Sequence, residues 1–142
     1  QYFIMLRCIS ISIILLICVS EVILFDSPIS VPELINIWKL RYEAESKKCI
    51  AETGVDTNMV EKMWNDYIYA DNKQLKCYIA CFYSTLNFMD ENGKFLKNRL
   101  VHNVEKITDQ MVETCNDQIK NTEDRCEKAY QFDTCMLELL LK

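Results

Sequence analysis

The stretch LKCYIACFYSTLNFMDENG, residues 75–93, decides the fold of this 142-residue chain. Its apolar residues recur at the i, i+3, i+4, i+7 spacing of a helix that packs one face against a core. This spacing predicts a helix that begins near Asp71 and is closed by Gly93. Cys77 and Cys81 lie one turn apart on it, so the helix can be crosslinked to two other segments.

Helices are also expected on both sides, because the whole chain contains only two glycines and two prolines. A capping-box pattern begins at Ser30, and Gly54 stops the apolar periodicity that follows. We therefore expect a first helix over about Val31 to Ala51. A cap at residue 56 or 57 predicts a second helix, which should end near Ala70.

Downstream of Gly93 the helical pattern continues without another glycine or proline. It predicts a short helix and a longer one, separated around His102 or Asn103. Thr122 or Asp124 can cap a last helix with an apolar face. The sequence thus predicts six helices and no strand, which is an all-α fold.

The N-terminal segment is short and apolar. From Phe3 to Ser20 its only charge is Arg7, and Glu21 follows. This pattern is typical of a secretory signal peptide, and the apolar run is shorter than the roughly 18 to 20 residues that span a membrane. Removal of residues 1–20 would leave one domain, 21–142, with a net charge of −6, because 15 Lys and Arg face 21 Asp and Glu. We expect an extracellular protein without a membrane anchor.

Six cysteines belong to that domain, with gaps of 27, 3, 33, 10 and 8 residues. They are Cys49, Cys77, Cys81, Cys115, Cys126 and Cys135. An even number in an exported domain predicts three disulfides. Helix geometry excludes a bond between Cys77 and Cys81, one turn apart, and between Cys126 and Cys135, on opposite sides of one helix. Ten of the fifteen possible pairings stay open.

Several other classes of function are disfavoured by the composition. A zinc site would need tight cysteine pairs or several histidines, and the chain has one histidine, His102. No Lys and Arg cluster is present to bind nucleic acid. The chain also lacks a nucleophile elbow and a phosphate loop, and a phospholipase would need a glycine-rich calcium loop. We expect no catalytic residue, no metal and no cofactor.

Methionines share the predicted apolar faces with aromatic side chains, as with Met63 beside Trp64 and Met136 near Phe132. Methionine adapts to irregular space, and disulfides worth about 2 to 4 kcal/mol each let a domain keep a hollow interior. The mixture therefore suits a pocket for flexible apolar molecules. Taken alone, such faces are more typical of an ordinary packed core.

The cysteine spacing resembles that of the insect odorant-binding protein family over essentially all of residues 21–142. Trp64 lies thirteen residues before Cys77, and residues 85–93 read TLNFMDENG. These features resemble the pheromone-binding and general odorant-binding branch. The resemblance implies a six-helix domain around an apolar pocket. It also implies one pairing of the ten: Cys49 with Cys81, Cys77 with Cys126, and Cys115 with Cys135.

Candidate ligand-binding residues follow from the same resemblance. By offset from the cysteines, the family's pocket positions fall on Tyr42, Met63, Trp64, Ile79, Tyr83, Met89, Val112, Phe132 and Met136. Phe82 and Leu86 are added because they share the apolar face of the third predicted helix.

The function implied is that of a secreted carrier, which binds odorants, pheromones or similar molecules and transports them through aqueous lymph. A small hydrophobic ligand is its expected partner, and an olfactory receptor is a candidate recipient. The alternative is a secreted interaction protein of venom or saliva that has the same fold and a filled core. Monomer and weak homodimer both stay open.

Overall fold

Seven helices follow one another in residues 29–142, the part of the chain that the computed structural model describes. They are α1 (Val31–Arg41), α2 (Glu43–Thr53), α3 (Thr57–Asp66), α4 (Lys73–Thr85), α5 (Lys97–Asn103), α6 (Asp109–Gln118) and α7 (Arg125–Leu140). The all-α prediction is confirmed. Residues 1–28, which include the predicted signal peptide, lie outside the described residues. No helix of the described part has both the length and the apolar character needed to cross a bilayer.

The prediction of six helices was wrong because the first predicted helix is two helices, α1 and α2. They meet at Tyr42, whose φ of −112° and ψ of 24° depart from helical values. The Tyr42 ring packs edge-on against Phe82 and Phe88, with centroid distances of 6.2 and 6.3 Å. This kink faces residues that are distant in sequence, so local periodicity could not reveal it.

Helix α3 ends at Asp66, whereas the sequence predicted an end near Ala70. Tyr67 adopts a left-handed conformation with φ of 60°, and the Ile68 amide donates to the Lys62 carbonyl at 3.2 Å. A left-handed residue terminates a helix in the manner of a C-terminal glycine. The chain then runs without helix to Asn72, whose side chain accepts from the Leu75 amide and caps α4.

Helix α4 ends at Thr85, eight residues before the predicted end at Gly93. Asn87 has a φ of 55°, and the Phe88 and Met89 amides both donate to the Tyr83 carbonyl. An isolated β-bridge then pairs Met89 with Phe95, and Gly93, with φ of 75°, closes the turn between them. The side chains of Phe88 and Met89 in this turn are buried in the core. The apolar pattern therefore continues beyond the end of the helix, which is why the predicted helix was too long.

Two predicted caps are present. Asp56 accepts a hydrogen bond from the Asn58 amide at the start of α3, and Asp124 accepts one from the Glu127 amide at the start of α7. The short α5 ends at Asn103, where the sequence predicted a separation. Polar side chains at helix starts were therefore the most reliable local signals in this sequence.

Three disulfides crosslink four of the helices. Cys81 of α4 is bonded to Cys49 of α2, Cys77 of α4 to Cys126 of α7, and Cys115 of α6 to Cys135 of α7. This is the pairing that the family resemblance implied. Helix α4 is thereby fixed to two neighbours by residues one turn apart.

An aromatic stack forms the centre of the core. The rings of Phe95 and Phe132 lie 3.6 Å apart between centroids and are inclined by 5°, and each side chain is at most 1% exposed. Tyr83 packs edge-on against both rings. The stack joins the turn after α4 to the middle of α7, so it holds together segments far apart in sequence.

We expect Phe95→Ala to lower the free energy of unfolding by about 3 to 5 kcal/mol, because it empties the space beside Phe132. Urea unfolding of the oxidised protein would measure the loss. Ile68→Ala, at a side chain that is 55% exposed, serves as the control and should change stability little. Equal stability of the two variants would contradict the central role of the stack.

Candidate ligand-binding cavity

A mostly apolar cavity of about 90 Å³ lies between α1, α3, α4, α5 and α7. A single buried water needs about 10 to 15 Å³ of such a volume. The interior therefore has room for several water-sized groups. Leu137 and Leu140 of α7 line one side, while Leu100 and the segment between α5 and α6 line another.

Eight of the eleven predicted ligand-binding residues lie on the wall of this cavity. They are Met63, Trp64, Ile79, Phe82, Tyr83, Leu86, Phe132 and Met136. Phe82 and Leu86, chosen from the helical face alone, are among them. The structure thus brings most of the predicted set together, and the role of these residues in binding stays a prediction.

The other three predicted residues do not line the cavity. Tyr42, at the junction of α1 and α2, packs edge-on against Phe82, which is the wall residue between it and the cavity. Met89 is buried in the turn that follows α4, and Val112 is fully buried on α6. Family offsets placed them near a pocket, but here Met89 and Val112 belong to the core and the half-buried Tyr42 packs against it.

The sequence prediction missed several wall residues, including Trp38, Tyr69, Tyr78 and Asp133. Trp38 and Tyr78 lay on the apolar faces already recognised. Asp133 had a clearer signal, because it follows Ala129 by one turn and precedes Leu137 by one turn. A lone carboxylate within an apolar helical stripe is costly to bury, and this is the signal by which the sequence could have singled out Asp133 as a candidate site residue.

We call Asp133, Tyr69 and Tyr83 the Asp133 cluster. The Tyr69 hydroxyl donates to Asp133 Oδ2 at 2.7 Å, and the Tyr83 hydroxyl donates to Asp133 Oδ1 at 2.5 Å. Burial raises the pKa of Asp133, and these two hydrogen bonds oppose that rise because they stabilise the charged form. Burial, together with the negative charge of Asp133, also raises the pKa of each tyrosine well above its ordinary value. Both tyrosines therefore keep their hydroxyl hydrogens.

A second polar group on the wall is Tyr78. Its hydroxyl accepts from Trp64 Nε1 at 3.2 Å and shares a hydrogen bond of 2.8 Å with the Ser46 hydroxyl. These contacts fix the indole of Trp64 on the wall and satisfy its only donor. Trp64 also packs edge-on against Phe82, with a centroid distance of 5.7 Å.

An ion pair ties α1 to the segment after α5. Glu105 accepts from Arg41 at 2.7 Å and from Trp38 Nε1 at 2.9 Å. The hydrogen bond from Arg41, followed by that from Trp38, lowers the pKa of Glu105 to about 2. Because the Trp38 ring lines the cavity, this contact sets the position of one wall residue.

One group of side chains in the described part has the spacing of metal ligands, Cys49, Glu52 and Cys81. The two sulfur atoms are joined in a disulfide, so they offer no thiolate to a metal ion. The chemistry of this group therefore does not fit a metal site.

A helical domain crosslinked by three disulfides around an apolar cavity has the architecture of proteins that hold small hydrophobic molecules in their interior. The PBP/GOBP family model matches residues 39–138, and the chain belongs to this family. Its members are odorant-binding carriers and not enzymes. The resemblance noted in the sequence is confirmed.

The chain is 28% identical over 93 residues to Odorant-binding protein 10 of Aedes aegypti. The match covers 61% of this chain and 64% of the relative. It is 29% identical over 103 residues to General odorant-binding protein 19d of Drosophila melanogaster. This match covers 66% of this chain and 67% of the relative. The matches thus span about two thirds of these relatives' own lengths.

Two solved structures share the fold, each with a TM-score of 0.56. Odorant Binding Protein 7 from Anopheles gambiae, with four disulfide bridges and in complex with an azo compound, is 24% identical; the match covers 72% of this chain and 85% of that one. OBP56a, a fatty acid binding protein from the oral disk of the blowfly Phormia regina, is 17% identical, with coverages of 71% and 90%.

The contact of Glu105 predicts an acid-dependent contribution to stability. A carboxyl group whose pKa is lowered on folding stabilises the protein above its ordinary pKa of 4.5, and this contribution is lost as the pH falls towards about 2. Glu105→Gln should therefore lose less stability than the wild type between pH 4.5 and pH 2. Thermal unfolding at several pH values would measure the difference.

The matched control is Glu123→Gln, at an exposed residue before α7. It should keep the acid-dependent loss of the wild type. If Glu105→Gln showed the same acid-dependent loss as Glu123→Gln, the ion pair with Arg41 would not contribute in solution. The effect should also weaken at high salt, because the pair is largely exposed.

Proposed function

We propose that this protein is a secreted carrier that takes up an odorant, a pheromone or a similar semi-volatile molecule and transports it unchanged through aqueous lymph. The observation that carries the proposal is the apolar cavity, whose walls include the two crosslinked helices α4 and α7. Three disulfides and the signal-like sequence from Phe3 to Ser20 support secretion, since disulfides persist in oxidising compartments. Delivery to a receptor would complete such transport.

The driving force would be the removal of apolar surface from water. Each buried CH₂ group is worth about 0.8 kcal/mol, so an eight-carbon chain supplies about 6 kcal/mol before ordering costs. A dissociation constant between millimolar and micromolar corresponds to about 4 to 8 kcal/mol. Binding of this strength is reversible, as a carrier that releases its cargo requires.

The cavity also favours a carrier over an interaction protein with a filled core. Met63 and Met136 on the wall have flexible side chains, and they can rearrange around guests of different shape. Both tryptophans of the chain, Trp38 and Trp64, line the same space. Their fluorescence should therefore shift when a guest displaces water from the cavity.

Uptake of a fluorescent apolar probe such as Nile red, by the oxidised protein at micromolar concentration, tests the proposal. Leu137→Trp should weaken uptake at least about ten-fold, because a larger ring at a half-buried wall residue fills the guest's space. The matched control is Leu141→Trp, one turn further along, at a side chain that is 53% exposed. It should bind the probe as the wild type does.

Failure of the wild type to take up the probe would overturn the carrier proposal. Equal uptake by Leu137→Trp and Leu141→Trp would mean that probes bind elsewhere on the protein. Circular dichroism and a count of free thiols on each variant would establish that the helices and the disulfides are intact.

A further inference from the structure

The Asp133 cluster is the strongest polar feature inside the cavity. Asp133, Tyr69 and Tyr83 all line the wall, while most of the surrounding side chains are apolar. The cluster is also held from several directions. The Tyr130 hydroxyl donates to the Tyr69 carbonyl at 3.1 Å, and the Tyr83 ring packs against Phe132. Its oxygen atoms are therefore fixed in place before any guest arrives.

The hydrogen atoms of the cluster are already used. Each tyrosine hydroxyl has one hydrogen, and both are donated to Asp133. In its ionised form, which a bound cation would stabilise, the Asp133 carboxylate has about four lone-pair directions and donates nothing, so at least two remain for another partner. Each tyrosine oxygen can likewise accept but no longer donate. The cluster thus offers only acceptors to a molecule in the cavity.

The charge of the cluster is not balanced from within the protein. Among the described residues no basic side chain contributes to the environment of Asp133, and Lys76, on neighbouring α4, pairs with Asp71 and Glu127. A half-buried carboxylate on an apolar wall that lacks a cation is costly, and a cationic partner would reduce that cost. A protonated amine would supply the charge as well as the missing donors.

The two indole N–H groups of the wall do not offset this preference, because both are already donated to protein acceptors. Trp64 Nε1 donates to Tyr78, and Trp38 Nε1 donates to Glu105. Tyr67, half-buried at the end of α3, has a hydroxyl that is not hydrogen-bonded to Asp133. Asp117, an exposed carboxylate of α6 outside the cavity wall, provides the matched position for a control substitution.

We infer that the cavity selects apolar molecules whose head group donates hydrogen bonds, primary amines above all, and that Asp133 binds that head group. The inference rests on the proposed carrier function and specifies its ligand class. Alcohols, which donate one hydrogen bond, rank next. Aldehydes, which only accept, and carboxylates, which are repelled by Asp133, rank last.

A series of equal chain length separates the head group from the apolar part. Octylamine, octan-1-ol, octanal and octanoate would each be titrated against Nile red bound to the wild-type protein at neutral pH. We expect octylamine to bind roughly ten- to a hundred-fold more tightly than octanal, as hydrogen bonds to a charged group allow. Octanoate should bind most weakly.

Asp133→Asn keeps the shape of the side chain and removes its charge. In this variant octylamine should lose about ten-fold or more in affinity, while octanal should bind unchanged or more tightly, because the amide can donate to it. Asp117→Asn, which removes the same charge at an exposed residue of α6 outside the cavity wall, is the control and should leave the ranking of the four ligands as in the wild type. The dissociation constant of Nile red would be measured for each protein as the reference, and Asp117→Asn should match the wild type.

The outcomes distinguish the inference from the carrier function. Nile red uptake without an advantage for octylamine, or an advantage that survives in Asp133→Asn, would overturn the inference and leave the carrier proposal standing. Absence of uptake would overturn both. If Asp133→Asn did not fold, the carboxyl ¹³C resonance of Asp133 in the wild type would decide the question. It should shift with octylamine and stay in place with octanal, and an unmoved resonance with octylamine would contradict the inference.

Discussion

The two crosslinks on α4 are the constraint on which the structure depends. Cys77 and Cys81 leave this helix one turn apart and reach α7 and α2. Ile79, Phe82 and Tyr83, on the same helix, face the cavity. The disulfides therefore fix the wall itself and not only the outside of the bundle. A crosslink also limits the freedom of the unfolded chain, and the stability gained in this way allows the interior to stay incompletely packed.

The polar groups of the interior show how such a cavity can be stable. The indole N–H of Trp64 donates to the Tyr78 hydroxyl, which also shares a hydrogen bond with the Ser46 hydroxyl. Asp133 receives two hydrogen bonds, yet its charge has no cationic partner among the described residues. Apolar walls alone would give affinity with little selectivity, since the hydrophobic effect has no direction. In the inferred mode of binding, the Asp133 cluster supplies this selectivity, because its hydrogen bonds to a head group are directional. Without a bound cation, the carboxylate of Asp133 has no partner of opposite charge among the described residues.

Local sequence patterns predicted the helical class and two of the caps because these features depend on neighbours within one turn. They failed at Tyr42, Tyr67 and Asn87, where contacts with distant segments or left-handed backbone end the regular helix. The family resemblance supplied the disulfide pairing, which spacing alone left among ten choices. The pocket positions taken from the resemblance do not include Asp133, and its two tyrosine partners lie 50 and 64 residues away in sequence, so no local pattern joins them.

The crosslinks also divide the wall into a fixed part and an adaptable part. Helices α4 and α7 are joined by Cys77 and Cys126, whereas α1, α3 and α5 carry no disulfide in the described structure. Adaptation to a guest larger than the observed cavity would therefore come from the second group. Helix α1 is tied across the cavity by the contact of Trp38 with Glu105, which is exposed and weak compared with a covalent bond. The head group of a guest would meet the fixed side, where Asp133 lies, and its apolar end would meet the side that can move. A rigid polar anchor opposite an adaptable apolar wall allows selection by head group together with tolerance of chain shape.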